Sequence, residues 1–390
     1  MSALITLPDG PYRLSGTGAG YAVPGAPFTS RVGYAAAHVV ADPRADPTPG
    51  APATLDWDAT LAFRHHLWRH GFGVAEAMDT AQRGMGLDHA TSMELIRRSA
   101  REAHTVGGTI VAGVATDQLP AGPATLDQIR RAYAEQLDQV QATGARPVLM
   151  CSRHLAATAR GPEDYHAVYD ELLRRADGPV VLHWLGPMFD PALTGYWGST
   201  DLDAATGTVL DLIHTHAATV DGIKVSLLDE RFEVDLRRRL PDGVRLYTGD
   251  DFNYPTLIRG DAEPRTGPGR SYSDALLGIF AAIAPPAAAA LRALDVGDLD
   301  RYDQVLAPTV PLARHIFATP TYHYKTGIVF LAWLAGHQDH VTMVGGLHAG
   351  RSPGHLIELL RLADAAGLLP DADLAAHRAR AWLTTVGVVQ

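Results

Sequence analysis

The stretch Val220-Asp221-Gly222-Ile223-Lys224-Val225-Ser226 places a lysine inside a run that is otherwise typical of a buried strand. A buried ammonium group is costly unless it is paired with a carboxylate or loses its charge. Desolvation lowers the pKa of a lysine from about 10.4 to roughly 7 or 8, and the neutral amine then forms Schiff bases with carbonyls. Lys224 is therefore a candidate catalytic nucleophile. A structural ion pair with Asp250 or Asp251, or simple substrate binding, is the alternative.

Seven other runs share the character of the run around Lys224, each being short, apolar or β-branched and followed by a polar turn and a helical pattern. Their starts are separated by roughly 24 to 42 residues, the length of one βα unit. Eight such units in about 250 residues predict a (β/α)8 TIM barrel of the α/β class. The predicted strands are residues 32–39, 74–78, 109–115, 147–151, 179–184, 220–225, 244–248 and 278–283.

The segments outside the barrel differ from it in composition. Residues 1–28 are rich in Gly and Pro and predict an N-terminal arm, whereas residues 284–390 are rich in Ala and Leu and predict a C-terminal helical extension. The barrel itself is expected over residues 29–283. Residues 261–273 predict a loop between its seventh and eighth strands.

Composition narrows the class of function. The 390 residues carry a formal net charge of −10, which argues against nucleic acid and anionic membranes as partners and favours a small molecule. The single cysteine, Cys151, excludes an intrachain disulfide and favours a reducing compartment. Residues 1–10 have neither the basic region nor the apolar run of a signal peptide, so we expect a cytoplasmic protein. No cofactor or metal is expected.

The chemistry of such a barrel comes from the carboxyl ends of its strands and from the loops that follow. We therefore expect Lys224, His154 and His183 to be catalytic, because imidazole and a desolvated amine both titrate near neutral pH. The polar and aromatic side chains expected to bind the substrate at the other strand ends are His38, Asp79, Thr80, Arg153, Trp184, Asp250 and Asp251.

Two pairs of motifs carry a resemblance to a known family. Gly222-Ile223-Lys224, followed by Tyr247-Thr248-Gly249-Asp250-Asp251, resembles the sixth and seventh strands of the dihydrodipicolinate synthase and N-acetylneuraminate lyase family. His70-Gly71-Phe72-Gly73-Val74 and His323-Tyr324-Lys325-Thr326-Gly327 resemble its first βα unit and its C-terminal segment, so the likeness spans residues 30–345. The resemblance implies a class I aldolase-like barrel, commonly a homo-oligomer, with Lys224 as the Schiff-base lysine.

The chain also departs from the pattern of that family. Where the family grips the carboxylate of pyruvate, this chain has Met78-Asp79-Thr80-Ala81-Gln82, and an aspartate there repels a substrate carboxylate. The family's proton-shuttling tyrosine on strand four is replaced by Cys151-Ser152-Arg153-His154, which makes His154 the candidate proton relay. The chain departs from the family's pattern at a third place, His183-Trp184-Leu185-Gly186-Pro187. We therefore expect a divergent branch without dihydrodipicolinate synthase activity itself.

The sequence thus predicts a carbon–carbon lyase that acts on a keto acid or sugar-derived ketone through an imine on Lys224. A second hypothesis is a divalent-metal lyase or isomerase, and a third is a non-catalytic barrel that binds a carbonyl ligand. The metal hypothesis draws its ligands from His38, Asp79, His154, His183 and Asp250.

Other noticeable residues have simpler interpretations. Asp250 and Asp251 are also compatible with a turn or a helix cap, and Cys151 with a buried strand position. Lys325, the only lysine besides Lys224, is predicted to lie at the surface or in an ion pair. Aromatic side chains after the fifth strand predict an apolar lid, a stacking wall or loop packing; they are Trp184, Phe189, Tyr196 and Trp197.

Overall fold

A computed structural model of the protein describes residues 3–16, 21, 27–262 and 269–390. Eight parallel strands close into a barrel in which each strand pairs with its neighbours in the chain and the last pairs with the first. The predicted (β/α)8 barrel is therefore confirmed. Its strands are β3 Gly33–Ala36, β4 Gly73–Glu76, β5 Ile110–Val114, β6 Arg146–Leu149, β7 Val180–Leu185, β8 Val220–Ser226, β9 Arg245–Thr248 and β10 Asp274–Leu277.

Seven of the eight predicted strands overlap these elements, and the prediction for residues 278–283 is wrong. The eighth strand is β10, which pairs with β9 and β3, and Ile279–Ala282 forms a short helix instead. The apolar run from Ala275 to Ile283 is continuous, and both halves are buried. Periodicity cannot separate a buried strand from a buried helix in such a run, so the boundary was not visible in the sequence.

Helices follow the strands and cover the outside of the barrel. Several begin at a side chain that caps the helix: Asp56 accepts a hydrogen bond from Ala59 N, and Thr125 and Gln128 form a capping box. The helices of the barrel are α1 Trp57–Arg69, α2 His89–Val106, α3 Leu126–Gln141, α4 Arg153–Thr158, α5 Pro162–Arg175, α6 Leu202–Thr215, α7 Glu230–Arg237, α8 Tyr254–Arg259 and α9 Ile279–Ala282.

The segment after the barrel is helical, and one of its helices matters for the barrel mouth. Its elements are α10 Ala284–Asp295, α11 Leu299–Leu306, α12 Thr309–Ile316, α13 Tyr324–Leu334, α14 Pro353–Ala365 and α15 Ala372–Thr385. Every residue of α13 is buried, since it packs between α14 and the short helix α9 that follows the last barrel strand. The first turn of α13 is thereby brought to the carboxyl ends of the barrel strands.

The N-terminal residues contain a feature that the sequence did not predict. Strands β1 Leu4–Leu7 and β2 Gly10–Arg13 form an antiparallel hairpin that packs on α15. Asp364 of α14 accepts hydrogen bonds from Tyr12 Oη and Ser15 N. The first described residues therefore pack on the C-terminal helices.

A fully buried ion pair joins the barrel wall to its outer helices. Glu76 on β4 accepts two hydrogen bonds of 2.8 Å from Arg64 on α1 and one of 2.5 Å from Ser99 on α2. Arg64 also donates to the carbonyl oxygens of His38 and Thr60. Because every polar atom of the pair has partners, removal of one member leaves the other buried and uncompensated.

We expect Arg64→Met to lower the free energy of unfolding by about 3 to 5 kcal/mol, because it leaves the Glu76 carboxylate buried without a positive partner. Urea unfolding measures this change. Arg44→Met is the matched control, since the Arg44 side chain is 88% exposed in its pair with Asp42 and its loss should leave the unfolding midpoint unchanged. Equal midpoints for the two variants would contradict this account of the pair.

Candidate active site

A cavity of about 910 Å³ opens at the carboxyl ends of the barrel strands. Its wall comes from the loops after β4, β5, β6 and β7 and from the start of α13. This is the face where TIM barrels carry their chemistry. The charged side chains on the wall are Asp79, Arg83, Asp117, Arg153, Asp190 and Lys325.

Lys224 lies on β8 inside the barrel, and strand pairing places it beside His183 on β7 and Tyr247 on β9. Its side chain is 4% exposed. Burial lowers the pKa of Lys224 below its ordinary value, while the negative charges of Asp79 and Asp251 oppose that shift. Gly249 leaves room for the amine, because a Cβ there would lie 2.9 Å from Lys224 Cε and collide with Ser226 Oγ.

Asp79 follows β4 and lines the cavity, and its carboxylate takes part in a hydrogen-bond network with two hydroxyl groups. Tyr324 Oη donates to Asp79 Oδ2 at 2.6 Å, and Thr80 Oγ1 lies 2.8 Å from Tyr324 Oη. Burial by itself raises the pKa of Asp79, but the charges of Lys224 and Lys325, together with the hydrogen bond from Tyr324, outweigh it and hold that pKa at about 2. Asp79 is therefore ionised at neutral pH, with its Oδ1 free of hydrogen bonds among the described residues.

Tyr324 lines the cavity, and the sequence analysis named it only within the motif of the C-terminal segment, without a role. Burial raises the pKa of its hydroxyl well above the ordinary value, and the neighbouring Asp79 charge raises it further. Its ring is stacked on Phe317 with centroids 4.4 Å apart, and Phe189 meets it edge-on at 5.9 Å. The helical tail therefore delivers a protonated phenol, held by two aromatic rings, to Asp79. The adjacency of Tyr324 and Lys325 was the only signal in the sequence.

The prediction of a surface or ion-pair position for Lys325 is wrong. The side chain is 3% exposed and lines the cavity, because it lies in the first turn of the buried helix α13. Its Nζ is 3.6 Å from Met85 Sδ. Burial lowers the pKa of Lys325 to about 8, against the opposing charge of Asp79. Both lysines of the chain thus lie near the same carboxylate.

The two histidines predicted to be catalytic occupy different positions. His183 is fully buried beside Lys224, with Nε2 3.4 Å from Ser226 Oγ and no hydrogen bond at Nδ1 among the described residues. Burial and the Lys224 charge lower the pKa of His183 well below its ordinary value, so the ring is neutral. His154 lines the cavity, where Nε2 donates to the carbonyl of Pro120 at 3.1 Å and Nδ1 is 3.0 Å from Thr116 Oγ1.

The two aspartates after β9 are engaged by the backbone. Asp250 accepts hydrogen bonds from Phe252 N and Asn253 N, which is the turn interpretation of that residue. Asp251 accepts from Ile279 N at 2.8 Å. Burial raises the pKa of Asp251 to about 8, so near Lys224 it is largely protonated at neutral pH. Asp79, rather than Asp251, is the permanent anion beside the amine.

Three other predicted substrate-binding residues are held by neighbouring side chains. His38 is buried outside the cavity, with Nε2 2.8 Å from Gln338 Oε1 and its ring 4.4 Å from that of Phe63. Trp184 alternates with His183 on β7 and packs on Trp197 and Phe232. Arg153 does line the cavity, where its Nε donates to Asp190 at 2.6 Å.

The aromatic side chains after β7 divide between two roles. Phe189 lies on the cavity wall and contacts Tyr324, whereas Tyr196 and Trp197 pack with Tyr169 behind the loop.

Cys151 follows β6 and is half-buried, with Sγ 3.1 Å from the carbonyl of His183. Burial raises the pKa of its thiol to about 12, so the reactive thiolate is not formed at neutral pH.

The ligand set of the metal hypothesis does not come together in this fold. In the described ranges, no three His, Cys, Asp or Glu side chains are grouped as a metal ion would require. The physical reason is that His38 lies behind the barrel wall against Phe63, while the carboxylate of Asp250 accepts hydrogen bonds from the backbone of its own turn.

In the same described ranges, no helix is both long and apolar enough to cross a membrane.

We expect Tyr324→Phe to raise the pKa of Asp79, because the variant loses a hydrogen bond that favours the carboxylate. The pKa of Asp79 is lowered from 3.8 in the folded protein, so its contribution to stability is present above that value and is lost as the pH falls towards about 2. In the variant this loss should be smaller and should be complete at a higher pH, because the pKa of Asp79 in the folded protein lies closer to 3.8. Urea unfolding between about pH 2 and 5 measures it.

Tyr302→Phe is the matched control, since Tyr302 Oη donates to the carbonyl of Pro255 far from Asp79. Each variant should lose about 1 to 3 kcal/mol of stability, because a buried acceptor is left unsatisfied. Only Tyr324→Phe should change the pH dependence. The same pH dependence in both variants would show that Tyr324 does not act on Asp79.

Comparisons with known proteins support the fold. The model of the family described as "Protein of unknown function (DUF993)" matches residues 10–388. No curated protein matches the chain. Dihydrodipicolinate synthase from Oceanobacillus iheyensis superposes with a TM-score of 0.64 at 15% identity, covering 86% of this chain and 96% of that one. The enzyme from Aquifex aeolicus gives 0.63 at 12%, covering 87% and 99%.

A further similar structure is the 4-hydroxy-tetrahydrodipicolinate synthase of Methylacidiphilum fumariolicum, with a TM-score of 0.62 at 15% identity over 88% of this chain and 99% of that one. The resemblance predicted from the Lys224 and Asp250 motifs is thus confirmed for the fold.

Proposed function

We propose that this chain, which belongs to the family described as "Protein of unknown function (DUF993)" and has the dihydrodipicolinate synthase fold, is a carbon–carbon lyase of the class I aldolase type. Lys224 is the nucleophile, and the substrate is a hydroxylated ketone. The observation that carries this proposal is the placement of a buried lysine of lowered pKa beside a carboxylate of lowered pKa, at the reactive end of the barrel.

In the proposed reaction the neutral amine of Lys224 adds to the carbonyl carbon, and the resulting carbinolamine loses water to give a protonated imine. The imine accepts the electron pair of the bond between the α and β carbons, while the hydroxyl group on the β carbon loses its proton. An aldehyde then leaves and an enamine remains. Protonation of the enamine carbon and addition of water release the second carbonyl product and restore the amine.

The negative charge of Asp79 suits the proposed reaction. The protonated imine carries a positive charge that forms when the carbinolamine loses water and is neutralised when the enamine forms, and a carboxylate fixed in a low-dielectric site stabilises that cation without reorganising. Asp79 stays ionised because its pKa lies near 2. Its charge also disfavours a substrate carboxylate next to the reacting carbonyl, so a 2-oxo acid such as pyruvate fits poorly at this position.

Protons in this mechanism would pass through groups that line the cavity. Tyr324, between Asp79 and Thr80, is placed to exchange a proton with a substrate hydroxyl, and His154 is the second candidate on the wall. His183 is neutral beside Lys224 and suits a role in holding the amine. Asp251, protonated at neutral pH, would act as a hydrogen-bond donor near the amine.

Borohydride reduction followed by peptide mass spectrometry tests the proposal, because it converts an imine into a stable adduct on the lysine that formed it. The chain contains only Lys224 and Lys325, so Lys224→Met and Lys325→Met are matched variants. With a panel of pyruvate, other small keto acids and keto sugars, we expect an adduct on Lys224 in the wild type and in Lys325→Met. Lys224→Met should give none.

An adduct on Lys325, or one that persists in Lys224→Met, would contradict the assignment of the nucleophile. Binding of a carbonyl compound without any adduct or turnover would instead favour the non-catalytic binding barrel. We further infer a homo-oligomer in the cytoplasm, and the mass of the native protein in solution checks the first of these two points.

A further inference from the structure

Lys325 differs from the buried arginines of this protein in having no hydrogen bond to a carboxylate among the described residues, although the charge of Asp79 acts on it. Arg64, Arg83 and Arg237 are each hydrogen-bonded to an acidic side chain. Within residues 27–262 and 269–390, the only polar atom hydrogen-bonded to Lys325 Nζ is the weakly accepting sulfur of Met85, at 3.6 Å. A buried ammonium with so poor a partner is costly, which points to a partner that is absent from the protein itself.

The surroundings of Lys325 are open to a ligand on one side. Its side chain lies on the wall of the 910 Å³ cavity together with Tyr322 and Tyr324. It belongs to the first turn of the eleven-residue helix α13, where the helix dipole also favours a negative charge. The other two cations on the wall are already engaged, Arg83 by Asp117 and Arg153 by Asp190. Lys325 is the cation left for an incoming anion.

We propose that Lys325 binds an anionic group of the substrate, a carboxylate or a phosphate, at a distance from the carbonyl that reacts with Lys224. This inference rests on the proposed function and narrows its substrate class to a hydroxylated ketone with an anionic end.

The position of Asp79 explains why the anionic group must be remote. Asp79 interacts more strongly with Lys224 than with Lys325, so an anion next to the reacting carbonyl would face the stronger repulsion from its negative charge. An anion at the far end of a longer substrate meets Lys325 instead, and the cavity lined by Asp79 and Lys325 has room for that end of the molecule. With its pKa near 8, Lys325 is mostly protonated at neutral pH. Specificity then follows from charge pairing at one end and covalent capture at the other.

The test compares each anionic carbonyl compound with a neutral counterpart: dihydroxyacetone phosphate with dihydroxyacetone, and levulinate with its methyl ester. Calorimetric titration of Lys224→Met measures binding without imine formation. We expect the anionic member of at least one pair to bind about tenfold or more tightly than its neutral counterpart. The pair that shows the preference tells whether the recognised group is a phosphate or a carboxylate.

Adding Lys325→Met to Lys224→Met should abolish that preference, and Lys325→Arg in its place should restore part of it. Equal melting temperatures of the variants would exclude misfolding as the cause. The inference is overturned if neither anion is preferred in Lys224→Met, or if the preference survives Lys325→Met.

Borohydride trapping separates this inference from the proposed function. In the wild type, the preferred anionic compound should be trapped on Lys224 at a lower concentration than its neutral counterpart, and Lys325→Met should remove the difference. Binding that depends on Lys325 but gives no adduct on Lys224 would refute the lyase and leave the anion site standing. Trapping on Lys224 with equal efficiency for both members of each pair would refute the anion site and leave the lyase standing.

Discussion

The carboxylate of Asp79 is the charge on which the rest of the barrel mouth depends. It acts electrostatically on both lysines of the chain and accepts a hydrogen bond from Tyr324. Each of these groups is buried, and burial alone would favour neutral forms of all of them. The attraction between Asp79 and the two amines keeps an anion inside the site, while burial lowers the pKa of each amine below its ordinary value.

This arrangement requires two parts of the chain that are far apart in sequence. The barrel supplies Lys224 on β8 and Asp79 after β4, and the helical tail supplies Tyr324 and Lys325 at the start of α13. Because all of α13 is buried, its first turn is fixed against the barrel with little freedom to move. The C-terminal helices are thus part of the wall of the site, and they explain how a barrel without a tyrosine after β6 still places a phenol beside Asp79.

The sequence predicted what depends on local pattern. The recurrence of short apolar runs followed by helical patterns predicted the barrel, and the isolated lysine within an apolar strand indicated Lys224. It failed where the answer depended on packing between distant segments. Nothing local shows that Lys325 is buried, since its helix turns inward only against α14 and α9. His38 follows the first barrel strand as expected, yet its ring turns away to Gln338, three hundred residues later in the chain.

A lysine titration by nuclear magnetic resonance tests the central claim most directly. Protein labelled at Cε of lysine gives two signals, one from Lys224 and one from Lys325, and Lys325→Met assigns them. Lys224 should titrate below its ordinary value of 10.5, and Asp79→Asn should lower its pKa further, because the opposing negative charge is lost. A pKa of Lys224 at or above 10.5 would contradict the account, since it would identify a stable ammonium in a structural ion pair and not a nucleophile.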